Sequence, residues 1–302
     1  MILINLGQHN SPTFYAAAEE WLVRHLDCTR NDYLMLYINN SCVVCGKNQN
    51  VYKEVNFNWW YNHSKQVIRR ISGGGTVYHD EGNLNFVFFS AFAEHKINNY
   101  KWFNEPIRRV LQKCGVSVEL NTRNDMLFQG RKISGNAQFT NRKNILSHGT
   151  LLVNSKLDDL RSALKENTYS VEGRMVDSVR SKVANITEFS EVISSANQLS
   201  SKISEEICED ILDIDHENIE KIKNLEREKY ETYSWRFGRS PECTIKTHAF
   251  NLRVNEGLVE EIIIHQKEYH FIKKLVHQRM EKEAINEILD SEEVSLLIQA
   301  LT

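Results

Sequence analysis

An α+β protein with mixed or antiparallel sheets and flanking helices is the fold class that this sequence predicts, and three observations predict it. Strand-like runs cluster in hairpin-like groups, long crossover helices are few, and amphipathic helical stretches stand between the groups. A doubly wound parallel sheet would need a crossover between successive strands, and that alternation is missing.

The elements follow in order. Met1–Gly7 reads as a short strand. Ser11-Pro12 pairs an N-cap residue with proline at the first helical position, and Phe14, Ala17, Ala18, Trp21, Leu22 and His25 then keep a helical spacing. Strand patterns cover Tyr33–Ile38, Cys42–Cys45, Val67–Ile71 and Leu84–Phe89. Phe103–Cys114 predicts a helix ending near Gly115. Shorter strand patterns come next, at Val116–Leu120, Met126–Phe128, Lys132–Ser134 and Thr150–Val153. Ser155–Leu164 and Gln198–Leu212 predict helices. Near Gly238–Glu242 the helical pattern stops at Pro241, and strand patterns at Thr244–Val254 and Leu258–His265 precede helical stretches in 269–282 and 291–301. The division is therefore set at 1–242 and 243–302, the second part being a small α+β unit.

The 302 residues, 41% hydrophobic and 25% charged, suit a soluble globular chain of about two domains. A formal net charge of -3 gives no general footprint for nucleic acid. The most apolar run, Asn85 to Ala93, is far too short for a membrane span, and no export signal precedes the first strand. A cytoplasmic protein is expected, without nucleic-acid or membrane partners. Its six cysteines, Cys28, Cys42, Cys45, Cys114, Cys208 and Cys243, are then expected to be reduced. Cys42-Val-Val-Cys45 has redox or zinc spacing. A strand there sends its two thiols to opposite faces, and no second CxxC completes a four-ligand site, so a structural role is expected.

Two segments carry chemistry. In Arg69-Arg70-Ile71-Ser72-Gly73-Gly74-Gly75-Thr76-Val77-Tyr78-His79-Asp80, three glycines stand between strand patterns, behind two arginines. Such a turn approaches a ligand without Cβ interference and aims N–H groups at an anion. It matches neither the P-loop nor the dinucleotide fingerprint, and glycines alone would equally fit a flexible hairpin with a solvated arginine pair. The second segment is Asn124-Asp125-Met126-Leu127-Phe128-Gln129-Gly130-Arg131-Lys132-Ile133-Ser134-Gly135-Asn136-Ala137-Gln138. Gln129-Gly130 looks like a hairpin turn, after which alternation puts Lys132 and Ser134 on one polar face, toward solvent or a pocket.

These segments, followed by His148-Gly149-Thr150-Leu151-Leu152-Val153, occur in this order in lipoate–protein ligases, a family that the sequence resembles across nearly its whole length. Glu20-Trp21-Leu22, Gly46-Lys47-Asn48-Gln49-Asn50, Asp177–Ile186 and Ser234-Trp235-Arg236-Phe237-Gly238 add to the resemblance. Ser41-Cys42 departs from a proline–threonine pair common in relatives, outside the adenylate motifs. The resemblance implies a biotin/lipoate ligase-like catalytic domain with a C-terminal accessory domain. It implies an enzyme that turns lipoate and ATP, with Mg²⁺, into lipoyl-AMP and pyrophosphate, then transfers the lipoyl group to a carrier lysine and releases AMP. By matching position it assigns Arg70 to the ATP phosphates and Gly75, Thr76, Val77 and Tyr78 to the nucleotide. It sets Lys132 as the catalytic cation bridging the lipoate carboxyl and the α-phosphate. Ser72, Gly73, Gly74, His79 and Asn83 fall to the lipoate side, and Asp125 to the nucleotide or magnesium; no metal ligand is fixed. The carrier is the glycine-cleavage protein or an acyltransferase subunit of a 2-oxoacid dehydrogenase, and a monomer is expected. The rival readings are an ATP-independent octanoyl or lipoyl transferase working through an acyl-cysteine, and a non-catalytic regulator that binds lipoyl-AMP or a carrier.

Overall fold

The computed structural model describes residues 1–9, 11–63, 65–122 and 125–301. Asn124, which opens the second motif, lies outside them. The chain begins with β1 (Ile2–Asn5), α1 (Pro12–His25), β2 (Tyr33–Ile38) and β3 (Cys42–Cys45). Two short helices, α2 (Val51–Glu54) and α3 (Phe57–His63), lead to β4 (Gln66–Arg69), β5 (Val77–His79) and β6 (Asn83–Ala91). After α4 (Tyr100–Lys113) come β7 (Glu119–Leu120), β8 (Met126–Phe128), β9 (Arg131–Ser134), β10 (Asn136–Thr140) and β11 (Asn144–Leu152). Next are α5 (Leu157–Ala163), β12 (Ser170–Glu172), α6 (Ala196–Ile207), β13 (Asp210–Asp213) and α7 (His216–Leu225). The helical path runs on through two π-helical segments, Glu226–Tyr230 and Ser234–Gly238. The last elements are β14 (Cys243–Lys246), β15 (Phe250–Asn255), β16 (Leu258–Ile264), α8 (Lys282–Ile288) and α9 (Ser291–Leu301).

Among the described residues the strands form four sheets. The largest has the order β10-β11-β6-β2-β1-β13 and is mixed, since β1 runs parallel to both β2 and β13. Its centre, β6, is buried on both faces, which its near-continuous apolar run requires. Val87 and Phe89 pack toward Phe14, Ala18 and Leu22 of α1. Leu84, Phe86 and Phe88 pack toward Phe103 and Ile107 of α4 and Leu199 of α6. The mixed α+β architecture is the one the sequence predicts.

Helix α1 starts as expected: the Ser11 side chain accepts the Phe14 N–H, with Pro12 first in the helix. The helix expected over Gln198–Leu212 instead ends at Ile207, and its last residues become strand β13. Pairing with β1, in register Ile2↔Asp210 to Asn5↔Asp213, overrides the local helical pattern. The strand pattern at Thr150–Val153 belongs to the longer β11, which starts at Asn144.

A small sheet of order β4-β3-β5 faces the large one and carries the glycine loop between β4 and β5. A second, β7-β8-β9, turns at Gln129 and Gly130, both with positive φ (49° and 73°). The fourth sheet, β12-β14-β15-β16, takes β12 by the register Val171↔Ile245. Its core of Phe250, Leu252 and Val254 is continuous with Tyr52, Trp59 and Phe237. No helix among the described residues is long and apolar enough to cross a membrane.

Candidate active site

Two cavities meet over the glycine loop. The first, of about 310 Å³, lies between the large sheet and the small one. Tyr37, Asn85, Ala137 and His148 line it from the large sheet, Val44, Ile68, Val77 and His79 from the small one, and Ala16 and Glu19 from α1. The second, of about 820 Å³, has an apolar side of Val77, Leu152, Leu160 and Leu164, and a cationic rim of Arg131, Arg161, Lys165, Arg180 and Lys182. Thr76, Val77, Lys132, Gly135, Thr150, Ser178 and Val179 line both.

Backbone geometry builds the shared wall. Gly74 has φ +86°, and a Cβ on Gly46 would stand 2.1 Å from the Gly74 carbonyl oxygen, so one loop rests directly on the other. Arg70 holds the loop from inside. Its Nε donates to Ser72 Oγ at 3.0 Å, Nη1 to the Val44 carbonyl at 3.1 Å, and Nη2 to the carbonyls of Gly73 (2.6 Å) and Gly75 (2.7 Å). Burial pushes this guanidinium down to about 10, which leaves it charged at neutral pH. Arg70 lines the first cavity and is absent from the lining of the second.

The first cavity ends on a hydrogen-bond relay. The buried Glu19 carboxylate accepts the Tyr37 hydroxyl at 2.8 Å and stands 2.8 Å from His148 Nδ1. His148 Nε2 stands 2.7 Å from Ser72 Oγ, so the imidazole bridges the carboxylate and that hydroxyl. His79, also on the floor, meets Asn39 Nδ2 through Nδ1 at 3.0 Å. Burial first, then the charges of Arg70 and His148, push His79 down to about 3, so it is neutral at physiological pH.

Lys132 enters from β9, with Ser134 on the same cavity-facing side and the fully buried Ile133 on the other, as strand alternation predicts. Its backbone is bracketed by the 182–184 segment: N–H donates to the Lys182 carbonyl at 2.8 Å, and its carbonyl accepts from Ala184 at 3.1 Å. Its Nζ sits 2.8 Å from Asp125 Oδ1. The same strap crosses the glycine loop, where Ser178 Oγ accepts the Thr76 N–H at 2.8 Å.

The expected site residues therefore come together. Gly74, Gly75, Thr76, Val77, His79, Asp125 and Lys132 line the first cavity, and Thr76, Val77, Tyr78 and Lys132 the second. Ser72 and Asn83 stand behind the wall: Ser72 is 1% exposed, and Asn83 Nδ2 donates to the lining residue Asn85. The Gly73 carbonyl serves Arg70. Glu19, Tyr37, Asn39 and Ser178 had no role from the sequence. Glu19 left a local signal, a carboxylate spaced with Tyr15 and Leu22 on the apolar stripe of α1, and Ser178 lies in the Asp177–Ile186 segment that carried part of the resemblance.

No group of three or more His, Cys, Asp or Glu side chains able to hold a metal occurs among the described residues. Asp125 is the carboxylate paired with Lys132; Glu19 and Asp177 also line the first cavity, and Glu54 and Glu166 the second. With no three of them grouped, the set fits a hard cation held mainly by substrate oxygens beside a single protein carboxylate. All six cysteines are free, and none lines either cavity. Burial pushes the Cys28 thiol up to about 12 and the Cys243 thiol up to about 11, away from the thiolate a nucleophile needs. The arrangement is thus a slot with apolar walls joined to a cation-rimmed one, with a lysine ammonium at the junction. It can bring the carboxylate of an apolar acid to a polyphosphate.

Comparison with known proteins gives the same picture. Residues 11–208 match the family described as lipoyl protein ligase A/B catalytic domain. A lipoate–protein ligase of Bacillus subtilis is 36% identical over 276 residues, covering 86% of this chain and 83% of its own. Lipoate–protein ligase 1 of Staphylococcus aureus is 39% identical over 249 residues, covering 80% and 75%. Among solved structures, lipoate–protein ligase A bound with ATP aligns at TM-score 0.68 and 25% identity, over 79% of this chain and 98% of its own. A bipartite lipoate protein ligase from Thermoplasma acidophilum, solved as part of a system with its E2 lipoyl domain, shares the fold at TM-score 0.67 and 24% identity, over 79% and 96%.

Proposed function

The chain belongs to the lipoate–protein ligase family and is an enzyme, and on that premise we propose that it ligates free lipoate to a lysine of a lipoyl carrier domain at the expense of ATP. Lipoate and ATP first give lipoyl-AMP and pyrophosphate; the carrier amine then attacks the acyl carbonyl and AMP leaves. The observation that carries this reading is the position of Lys132, on the wall common to both cavities.

The first cavity takes the lipoyl chain and the second the nucleotide. Joining a carboxylate to a polyanion needs fixed positive charge at the junction, and the Lys132 ammonium supplies it where both slots end. Arg70 serves the nucleotide through the loop it shapes: Thr76, Val77 and Tyr78 line the phosphate side, and Gly75 lines the lipoate side of the same turn. Ser72, Gly73, Gly74, His79 and Asn83 build the lipoate end. Magnesium, when bound, neutralises phosphate charge, and Asp125 is the protein carboxylate assigned to it. We assign the glycine-cleavage protein or a 2-oxoacid dehydrogenase acyltransferase subunit as carrier, and a monomer in the cytoplasm as the working form. We also keep a two-part division at 242/243, with β12 as the arm that the first part adds to the sheet of the second. An acyl-cysteine transferase is disfavoured by the absence of cysteine from both linings.

The test is mass spectrometry of a purified apo lipoyl carrier incubated with the protein, lipoate and Mg²⁺, with and without ATP. A gain of one lipoyl group only with ATP is expected. An equal gain without ATP, or none under either condition, overturns the proposal.

A further inference from the structure

Arg69 stands next to Arg70 but points elsewhere. It is 0% exposed, and no carboxylate is among its hydrogen-bond partners. Nε donates to the carbonyls of Trp235 and Arg236, both at 3.1 Å. Nη1 donates to those of Gly46 (2.9 Å), Lys47 (3.3 Å) and Gln49 (2.8 Å), and Nη2 to Ser240 Oγ at 3.0 Å. Trp235 Nε1 returns a bond to the Arg69 carbonyl at 2.8 Å. A buried cation needs compensation, and here carbonyl dipoles provide it, two of them at the carboxyl end of the helical run that closes at Gly238. The guanidinium fork alone spans both sides, since an ammonium is a single point charge.

The loop that Arg69 grips leads straight to the shared wall. Gln49 Oε1 accepts Gly46 N–H at 3.0 Å and the Thr76 hydroxyl at 2.8 Å, while its Nε2 donates to Ser178 Oγ at 3.0 Å. Thr76 and Ser178 line both cavities.

We propose that Arg69 is a positioning residue: through the Gly46–Gln49 loop it ties the helical segment ending at Gly238 to Thr76 and Ser178, and so sets the wall on which the adenylate forms. The proposal rests on the adenylation reading, but its structural half can be tested apart from activity.

The experiment uses the full chain and the variants Arg69→Met, Arg69→Lys, Gln49→Ala and Arg69→Met/Gln49→Ala. Hydrogen exchange of 46–50 and 174–180 is measured beside lipoate-dependent ATP–pyrophosphate exchange. Expected for Arg69→Met and Gln49→Ala are faster hydrogen exchange in both segments, with α4 unchanged, and a tenfold or larger fall in kcat. Arg69→Lys should recover less than half of that loss. The double variant should be no worse than the poorer single within about twofold. Unchanged exchange at 174–180 in a folded Arg69→Met protein, or losses that multiply, would overturn the proposal. Should Arg69→Met not fold, Trp235→Phe removes the return bond; faster exchange at 174–180 is then expected, and no change overturns it. Absence of pyrophosphate exchange in the wild type counts against adenylation, while hydrogen exchange still decides the link.

Discussion

Lys132 Nζ lies 2.8 Å from Asp125 Oδ1, so the cation at the junction of the two cavities is held by a carboxylate 10% exposed. The pair fixes where the ammonium points before any substrate arrives. Lys132→Ala should lower the rate of lipoate-dependent pyrophosphate exchange by about a hundredfold or more, with the fold intact by circular dichroism. Asp125→Asn should cost less, roughly tenfold. Near-normal turnover of Lys132→Ala would remove it from the reaction.

Ser72 reaches the first cavity through two of its lining residues, His148 and Arg70. Ser72→Ala removes the partner of His148 Nε2 and of Arg70 Nε. The expected result is a KM for lipoate raised roughly tenfold, with the KM for ATP within about twofold. A rise confined to ATP would reverse the assignment of the two cavities.

His79 gives a pH signature. Its folded pKa of about 3 lies below the ordinary 6.5, so an unfolded chain takes up a proton that the folded one refuses. Stability from this group is therefore complete above pH 6.5 and is lost as pH falls toward 3. Between pH 7.5 and 5 the loss amounts to about 2 kcal/mol. Urea unfolding of the wild type and of His79→Gln at both pH values should show a shallower dependence in the variant; equal slopes would exclude His79 as the source.

Gly46 is a packing constraint. A Cβ there meets the Gly74 carbonyl at 2.1 Å, a backbone atom that cannot swing aside, whereas one on Gly73 meets nothing within 4 Å. Gly46→Ala should destabilise by about 1–3 kcal/mol, and Gly73→Ala by less than about 0.5 kcal/mol, in thermal melts. Equal melting temperatures for the two would show that the loops do not rest on one another.

Thiol chemistry separates the ligase from an acyl-cysteine transferase. With Cys28, Cys42, Cys45, Cys114 and Cys243 buried and Cys208 half-buried, iodoacetamide should leave the native protein's activity largely intact. Rapid loss with one cysteine labelled would restore the transferase.

The sequence exposed elements whose pattern is local. Ser11-Pro12 marked the start of α1, Gln129-Gly130 its hairpin, and the β9 alternation the side that Lys132 shares with Ser134. It hid what depends on distant partners. Strand β13 was masked because a neighbour more than two hundred positions away decides its conformation. The helix α3 carries Phe57, Trp59, Trp60 and Tyr61, and aromatic crowding has no clear helical signature. At the site, Arg69-Arg70 read as paired positive charge for a ligand, because arginine is ordinarily exposed. Only the fold reveals that Arg69 is sealed behind carbonyls. Glu19 and His148 are likewise 129 positions apart, and only the packing of α1 on β11 joins them.

On the proposed assignment of the two cavities, their common wall gives the intermediate a bivalent hold. An acyl-adenylate has two heads joined by a short mixed anhydride, and on that assignment each head docks in its own cavity. When one head lifts off, the other keeps it at high effective concentration, so re-docking outruns escape. AMP and the acylated lysine left after transfer have one head each and lose that advantage. The same partition that brings two repelling substrates together therefore retains the labile compound and lets the finished products go.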